Sequence, residues 1–463
     1  MAKKSKIVQQ KRGLHPAQLI SLGYLAAVIV GTILLLLPVS KKGEGSATFI
    51  DALFTTVSAV CVTGLSTVDV ANYWTPLGHL FILGLIAIGG FGIMTFATLV
   101  GVLFADKISL RSRLNTASEA RLGGLSNVRS VLRKIFTVVF LVESSVSLFI
   151  AVHLMLAKGY SIGDALWHGF FHAISAFNNA GFALYSDNLI SFDDDPFVLM
   201  PINLAIILGG LGFPVIFEIG RRIVSAIKER EFRYVHFAHH WSLHTRIVVW
   251  ATAVLIFGGW VYLGAIEWNN PGTLGPMSFG EKLLNSFTLS IMPRTAGFNS
   301  VDMAALHPSS LLGMDVMMFI GAGSAGTGGG IKVTTAAVLI FIVWAEIRGE
   351  TAVNVGQRRL PRSIQREALT IISLAFTAVI MATIIIRLIT DFTLDQVIFE
   401  VISAFATVGL STGITAALGV PSQVILIILM FLGRIGPMAI AIALAKKQST
   451  KHYEYAQERP IIG

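Results

Sequence analysis

The sequence predicts an all-α integral membrane protein of four span–loop–span repeats, with eight transmembrane helices and four re-entrant segments around a pseudo-fourfold axis. Three observations carry this prediction. The 463-residue chain is 54% hydrophobic and only 13% charged, with mean hydropathy +0.73. Soluble domains carry roughly 25% charged residues, so a chain this apolar belongs in lipid. It contains eight apolar runs near the roughly 20 residues that span a bilayer. Between the runs of each pair, one short pattern recurs four times.

Taken in order, residues 1–120 form the first repeat. A basic N-terminus leads into the run Leu19–Leu37, the segment FTTVSAVCVTGLS and the run Leu77–Phe104. The second repeat, 121–235, has Ile135–Leu156, FHAISAFNNAGFA and Phe197–Ile219. The third, 236–360, has Ile247–Ile266, FTLSIMPRTAGFN and Leu311–Trp344. The fourth, 361–463, has Leu369–Leu388, FEVISAFATVGLS and Val424–Ala445, then a polar tail. The half-apolar segments are too short to cross and suit a re-entrant helix and loop.

The recurrence is in register. Phe54, Phe171, Phe287 and Phe399 each stand ten residues before a glycine: Gly64, Gly181, Gly297 and Gly409. The glycines are 117, 116 and 112 residues apart, about a quarter of the chain. Such long periods mark duplicated units, not a solenoid. Ser58-Ala59, Ser175-Ala176 and Ser403-Ala404 share one offset; the third copy has Ile291-Met292 there.

Charge sets the orientation. Lys3, Lys4, Lys6, Lys11 and Arg12 precede the first run; Lys107 to Lys134, Arg221 to Arg246, Arg348 to Arg366 and Lys446 to Arg459 bound further basic loops. All fall on one side, which the positive-inside rule makes cytoplasmic, with both termini there. The protein is thus expected in the plasma membrane, multi-pass. Asp69, Asp187, Asp193, Asp194, Asp195 and Asp302 fall on the outer face. There they either raise local cation concentration or are simply solvated. The single cysteine, Cys61, rules out an internal disulfide. The basic N-terminus leads straight into a full-length run, so no cleavable signal is expected.

Four glycine-ended segments around one axis suit a narrow cation path. A cation entering it must exchange water for oxygen, and a ring of backbone carbonyls supplies oxygen without fixed charge. Glycine permits the backbone dihedrals required. A preceding short helix points its negative end at the cation. The expected carbonyl donors are Cys61, Val62, Thr63 and Gly64; Asn178, Asn179, Ala180 and Gly181; Arg294, Thr295, Ala296 and Gly297; Ala406, Thr407, Val408 and Gly409.

On CVTGLS, NNAGF, PRTAGFNSVD, ATVGLSTG and a glycine-rich run in the sixth span, the chain resembles membrane subunits of Ktr-type bacterial potassium uptake systems, the KtrB branch of the Trk/Ktr/HKT superfamily. The likeness covers all four repeats. It implies potassium as substrate, with one filter glycine per repeat; serine in the first repeat accompanies sodium selectivity in plant relatives, and here that place is Gly64. The TVGYG signature of potassium channels is absent from every repeat. The resemblance also implies a homodimer with one pore per chain, a cytoplasmic KtrA-type RCK ring that binds ATP or ADP, and sodium as activator or coupling ion. No cofactor is implied for this chain itself.

The sixth span holds GAGSAGTGGG, residues 321–330. Gly321, Gly323, Gly326, Gly328, Gly329 and Gly330 each cost a helix about 1 kcal/mol relative to alanine. Unwound backbone at membrane depth lies in protein or lines a cavity. The stretch is expected under the glycine segments, as an obstruction. Gly89–Gly92, Gly209–Gly212 and Gly433–Gly436 stand at comparable depth, where small residues equally suit close helix packing. Arg434 sits too deep in the last span to snorkel, and an intramembrane cation invites a functional reading. The resemblance places such a residue beside the glycine-rich loop, closing it; Lys332 is a second candidate.

Other readings weigh less. Residues 321–326 fit GxGxxG, with Glu346 twenty residues on, but no βαβ unit surrounds them. A secondary transporter built on two inverted repeats is disfavoured by four parallel ones. Glu143 is a proton or sodium site, or a bond to a neighbouring helix. Arg294 is expected to anchor its loop from behind. His236, His240 and His244 share helical spacing without a completing ligand. No nucleophile–base pair or metal set suggests an enzyme.

Overall fold

The computed structural model describes residues 16–91, 128–229 and 241–436. Fourteen helices carry the argument. They are α1 (Pro16–Leu36), α2 (Phe49–Cys61), α3 (Pro76–Gly90), α4 (Val128–Lys158), α5 (Ile162–Phe177), α6 (Pro196–Leu211) and α7 (Phe213–Glu229). Then follow α8 (Leu243–Glu267), α9 (Phe279–Ile291), α10 (Pro308–Ile320), α11 (Val333–Ile347), α12 (Arg362–Ile389), α13 (Leu394–Ala406) and α14 (Val420–Ile435). A two-residue antiparallel ribbon, β1 (Asn354–Val355) with β2 (Arg358–Arg359), links α11 to α12.

Within α4, Leu132–Lys158 is long and apolar enough to cross a membrane, as are α8 and α12. Their outward faces carry exposed Phe140, Trp250 and Leu388. Exposed apolar surface on this scale needs lipid or a partner to cover it. Among the described residues the other apolar helices are shorter, or broken as at α6 and α7.

The four short helices α2, α5, α9 and α13 lie innermost. Phe54, Phe171 and Phe399 are fully buried in one core, while Phe287 is half-buried, edge-on to Trp260 at 5.6 Å. Each short helix begins on a hydroxyl cap. Thr48, Ser161, Ser278 and Thr393 accept from the backbone N–H of Asp51, Asp164, Glu281 and Gln396. Such caps satisfy donors that a helix start leaves open. They fix where each helix starts, and so where its C-terminal end delivers the glycine.

One span departs from expectation. The run Phe197–Ile219 is not continuous: α6 and α7 meet at a bend of 104°. Gly212 sits at the break with φ +89°, a conformation glycine adopts without steric cost. Residues 323–327 of the glycine-rich stretch pack into the break. The N–H groups of Gly323 and Thr327 donate to the carbonyls of Gly210 and Gly209 at 2.8 and 3.1 Å, and Phe213 N–H donates to Ala325 O at 3.2 Å. The lost helical bonds are thereby replaced.

The sixth run is interrupted as expected, between α10 and α11. The distal parts of the runs Leu77–Phe104 and Val424–Ala445 lie outside the described residues, as do His236, His240 and both terminal basic clusters. His244 stands in the first turn of α8.

Candidate functional site

The four glycines form a closed ring. An ideal Cβ on Gly64 would lie 3.1 Å from the Cα of Gly181; on Gly181, 2.8 Å from that of Gly297. On Gly297 it would lie 3.1 Å from that of Gly409, and on Gly409, 3.0 Å from that of Gly64. Chain order is therefore order around the axis. Quarters one and three face each other, as do two and four.

The backbone is also fourfold. All four glycines have positive φ, and so does the residue two before each: Val62 (57°), Asn179 (58°), Thr295 (65°) and Thr407 (52°). Thr63, Ala180, Ala296 and Val408, between them, do not. Positive φ is unusual for a β-branched residue and costs roughly 1–3 kcal/mol. The sign of φ thus alternates over three residues in every copy. Successive carbonyls of an ordinary strand point to opposite sides; backbone whose φ alternates in sign can turn them to the same side.

The Ser-Ala pair explains how the turn is held. The serine carbonyls of Ser58, Ser175 and Ser403 accept from Thr63, Ala180 and Val408 N–H at 2.7, 2.7 and 2.8 Å. The carbonyls of Ala59, Ala176 and Ala404 accept from Val62, Asn179 and Thr407. The Ser58 and Ser403 hydroxyls accept from Gly64 and Gly409 N–H at 3.0 and 3.1 Å. In the second copy Ser175 Oγ instead donates to Phe182 O. The third copy, without Ser-Ala, closes differently: Ala296 N–H donates to Met292 O.

Cys61, Asn178, Arg294 and Ala406 are all buried. Asn178 Nδ2 donates to Glu143 Oε1 at 2.9 Å, so Glu143 is bonded to the second segment. Arg294 O accepts from Asn179 Nδ2 at 3.2 Å. Arg294 Nη1 has no hydrogen-bond partner among the described residues, so no bond at that nitrogen supports its expected anchoring.

The glycine-rich stretch lies against the ring. A Cβ on Gly328 or Gly329 would overlap the hydroxyls of Thr295 or Thr407, two residues before the third and fourth ring glycines. Thr327 Oγ1 donates to Asn179 Oδ1 at 3.0 Å. Two cations hold the stretch. Arg434, buried near the end of α14, donates through Nη1 to Thr327 O and through Nη2 to Gly89 O. Lys332 Nζ donates to the carbonyls of Gly328 and Gly329 at 2.5 and 3.3 Å. Gly321, Ala325 and Gly330 take positive φ, and Gly326 packs against Gly209 O and Gly212 N.

The other glycine clusters serve close packing. A Cβ on Gly89, Gly209 or Gly433 would overlap the carbonyl oxygens of Val60, Phe177 and Phe405, each four residues before a ring glycine. Asp69, Asp195 and Asp302, expected on the outer face, are engaged. Asp69 caps a one-turn helix and accepts from Ser186 and Asn72, and Asp302 caps another turn. Asp195 is buried and bonded to His153 at 2.8 Å and Lys158 at 3.3 Å. Burial alone would raise the Asp195 carboxyl, but these bonds outweigh it and hold the group below its ordinary value.

The chain is similar to known cation transporters. A family of cation transport proteins, TrkH, matches residues 17–455. The chain is 36% identical to "Ktr system potassium uptake protein B" of Bacillus subtilis (strain 168), over 96% of both chains. It is 37% identical to the protein of that name from Vibrio alginolyticus, over 96% of this chain and 94% of that one. It is 33% identical to "Potassium/sodium uptake protein NtpJ" of Enterococcus hirae, over 98% of both. The crystal structure of the potassium transporter TrkH from Vibrio parahaemolyticus shares the fold, with TM-score 0.71 over 95% of this chain and 87% of that one at 16% identity. The chain belongs to the TrkH family of cation transport proteins, which are membrane transporters and not enzymes.

Proposed function

We propose that this protein takes up potassium through the four-glycine ring. The observation that carries the reading is the ring itself, with φ alternating in sign in every copy. Carbonyls so arranged can replace a cation's hydration shell. Four short helices aim their C-terminal, negative ends at the same place, which favours a cation over an anion. The names of its relatives favour potassium, and NtpJ's adds sodium.

In this reading each quarter of the chain is one span–loop–span repeat, giving eight spans and four re-entrant loops with both termini cytoplasmic. The filter consists of the carbonyls from Cys61, Asn178, Arg294 and Ala406 through to the ring glycines. The stretch Gly321–Gly330 is the gate, on the cytoplasmic side of the ring. Arg434 and Lys332 hold it shut by bonding its carbonyls and repelling an approaching cation. The protein acts as a homodimer under a cytoplasmic nucleotide-binding ring, with sodium stimulating transport. The phrase "Ktr system" in the relatives' names supports a partner subunit.

The test is growth of an uptake-deficient bacterium at limiting potassium, expressing this chain with and without a nucleotide-binding ring. Rescue that depends on Gly64, Gly181, Gly297 and Gly409 is expected. No rescue from correctly inserted protein under either condition would overturn the reading.

A further inference from the structure

The fourfold register exposes one position that the ring reading does not use. Nine residues before each ring glycine, on the inner face of each short helix, stand Thr55, His172, Thr288 and Glu400. All four are polar and almost wholly buried. In two quarters this side chain reaches past the glycine to the strand leaving the ring. His172 Nδ1 contacts His168 O at 2.7 Å, which places the proton on Nδ1 and leaves Nε2 free to accept. Nε2 accepts from Leu184 N–H at 3.2 Å, three residues beyond Gly181. Its ring stacks on Tyr185, centroids 4.9 Å apart. Glu400 accepts from Ser411 Oγ at 2.9 Å, two residues beyond Gly409, and from Thr415 Oγ1. Ser411 Oγ in turn accepts from Gly413 N–H at 3.0 Å.

The other two quarters lack this contact. Thr55 Oγ1 has no partner among the described residues, and Thr288 Oγ1 accepts from Asn203 of α6 at 2.8 Å. In the first quarter the departing strand is tied further out, Thr67 to Asp51 at 2.6 Å. The two acceptors therefore lie on one diagonal of the ring, in quarters two and four.

We propose that His172 and Glu400 are positioning residues that clamp the outer half of the filter along this diagonal and so set its preference for potassium over the smaller sodium ion. The physical reason is geometric. Carbonyl oxygens discriminate between cations only while their distance from the axis is held. A departing strand bonded to a buried acceptor cannot collapse inward around a smaller ion. An uncharged hydroxyl facing elsewhere, as at Thr55 or Thr288, exerts no such restraint. This inference rests on the proposed reading of the ring as a potassium filter.

The test measures half-saturation for potassium and for sodium, with maximal flux per inserted protein, in proteoliposomes. His172→Ala and Glu400→Ala are each expected to reduce the potassium-to-sodium preference by about tenfold, the loss of roughly one buried hydrogen bond to a charged or polar acceptor. Glu400→Gln and His172→Gln, which keep an acceptor oxygen in place, should restore most of it. Thr55→Val should leave the preference unchanged. If an alanine variant does not insert, Ser411→Ala with Thr415→Val removes the Glu400 bonds from the other side and carries the same expectation. Unchanged preference in the variants that insert overturns the clamp. Alanine variants that lose inserted protein and keep the native preference would also overturn it. If the ring-glycine variants themselves leave potassium affinity unchanged, the filter reading falls first; if they abolish it while these variants do nothing, only the clamp falls.

Discussion

Arg434 donates a hydrogen bond to the carbonyl oxygen of Thr327, at the centre of the glycine-rich stretch, while its second terminal nitrogen holds Gly89 of α3. One guanidinium thus joins three quarters of the chain beneath the glycine ring. At the membrane depth expected for it, such a cation costs at least about 2.5 kcal/mol on insertion scales. Here it is offset by hydrogen bonds to two backbone carbonyls.

Neutralising this residue therefore tests the proposed gate. Arg434→Gln should raise potassium flux per inserted molecule and weaken its dependence on the proposed nucleotide-binding ring. Hydrogen bonds to a charged donor contribute about 1.5–3 kcal/mol each, so losing them shifts the closed state by at least about tenfold. Flux normalised to the quantity of inserted protein is the measurement. An unchanged or lower value would leave Arg434 as a structural anchor.

Shortening the stretch acts on the same step from the other side. Deleting residues 324–329 removes the segment that packs under Thr295 and Thr407 and the carbonyls that Lys332 binds. Faster, less regulated flux is expected in proteoliposomes. Loss of flux from a correctly inserted variant would argue that the stretch supports the ring and does not close it.

Serine at any ring glycine should weaken apparent potassium affinity, by about tenfold or more. Each glycine has positive φ, and its missing Cβ would press on the next segment's backbone; strain of roughly 1–3 kcal/mol per residue follows. Gly84→Ser, in α3 with open space around it, is the control and should behave as the parent. Affinity measured against sodium competition decides; four unaltered variants would refute the filter.

Asp195 supplies an acid-sensitive tie at the start of α6. Its carboxyl is held below the ordinary value, so the stabilisation is fully present above that value, about 3.9, and is lost as pH falls through the lowered one. Asp195→Asn should lower the thermal midpoint of detergent-solubilised protein at neutral pH. The difference from the parent should shrink below about pH 4. Midpoints scanned against pH check this; asparagine keeps the oxygen that caps Phe197 N–H, so a pH-independent difference would refute the part given to the carboxylate's charge.

The glycine ring and the unwound sixth run are legible in the string, because a fixed Phe-to-Gly interval and a density of glycine are properties of order and composition. Family membership follows from the same motifs. The hydroxyl caps at Thr48, Ser161, Ser278 and Thr393 are equally legible, as Ser or Thr three residues before Asp, Glu or Gln, though the Phe-to-Gly interval alone does not lead to them. The break at Gly212 is not legible: a run of apolar residues reads as one span, and only the glycine-rich stretch of another quarter, bonding to Gly209 and Gly210, makes the bend favourable. The packing role of Gly89, Gly209 and Gly433 is legible as small residues, but not that they pack against the carbonyls of Val60, Phe177 and Phe405. The role of Ser-Ala and the diagonal reach of His172 and Glu400 also depend on where a helix end meets the strand leaving it. Local order determined which segments bend, cap and repeat; only the tertiary structure decided what each one touches, because those contacts join residues that the chain separates by up to hundreds of positions.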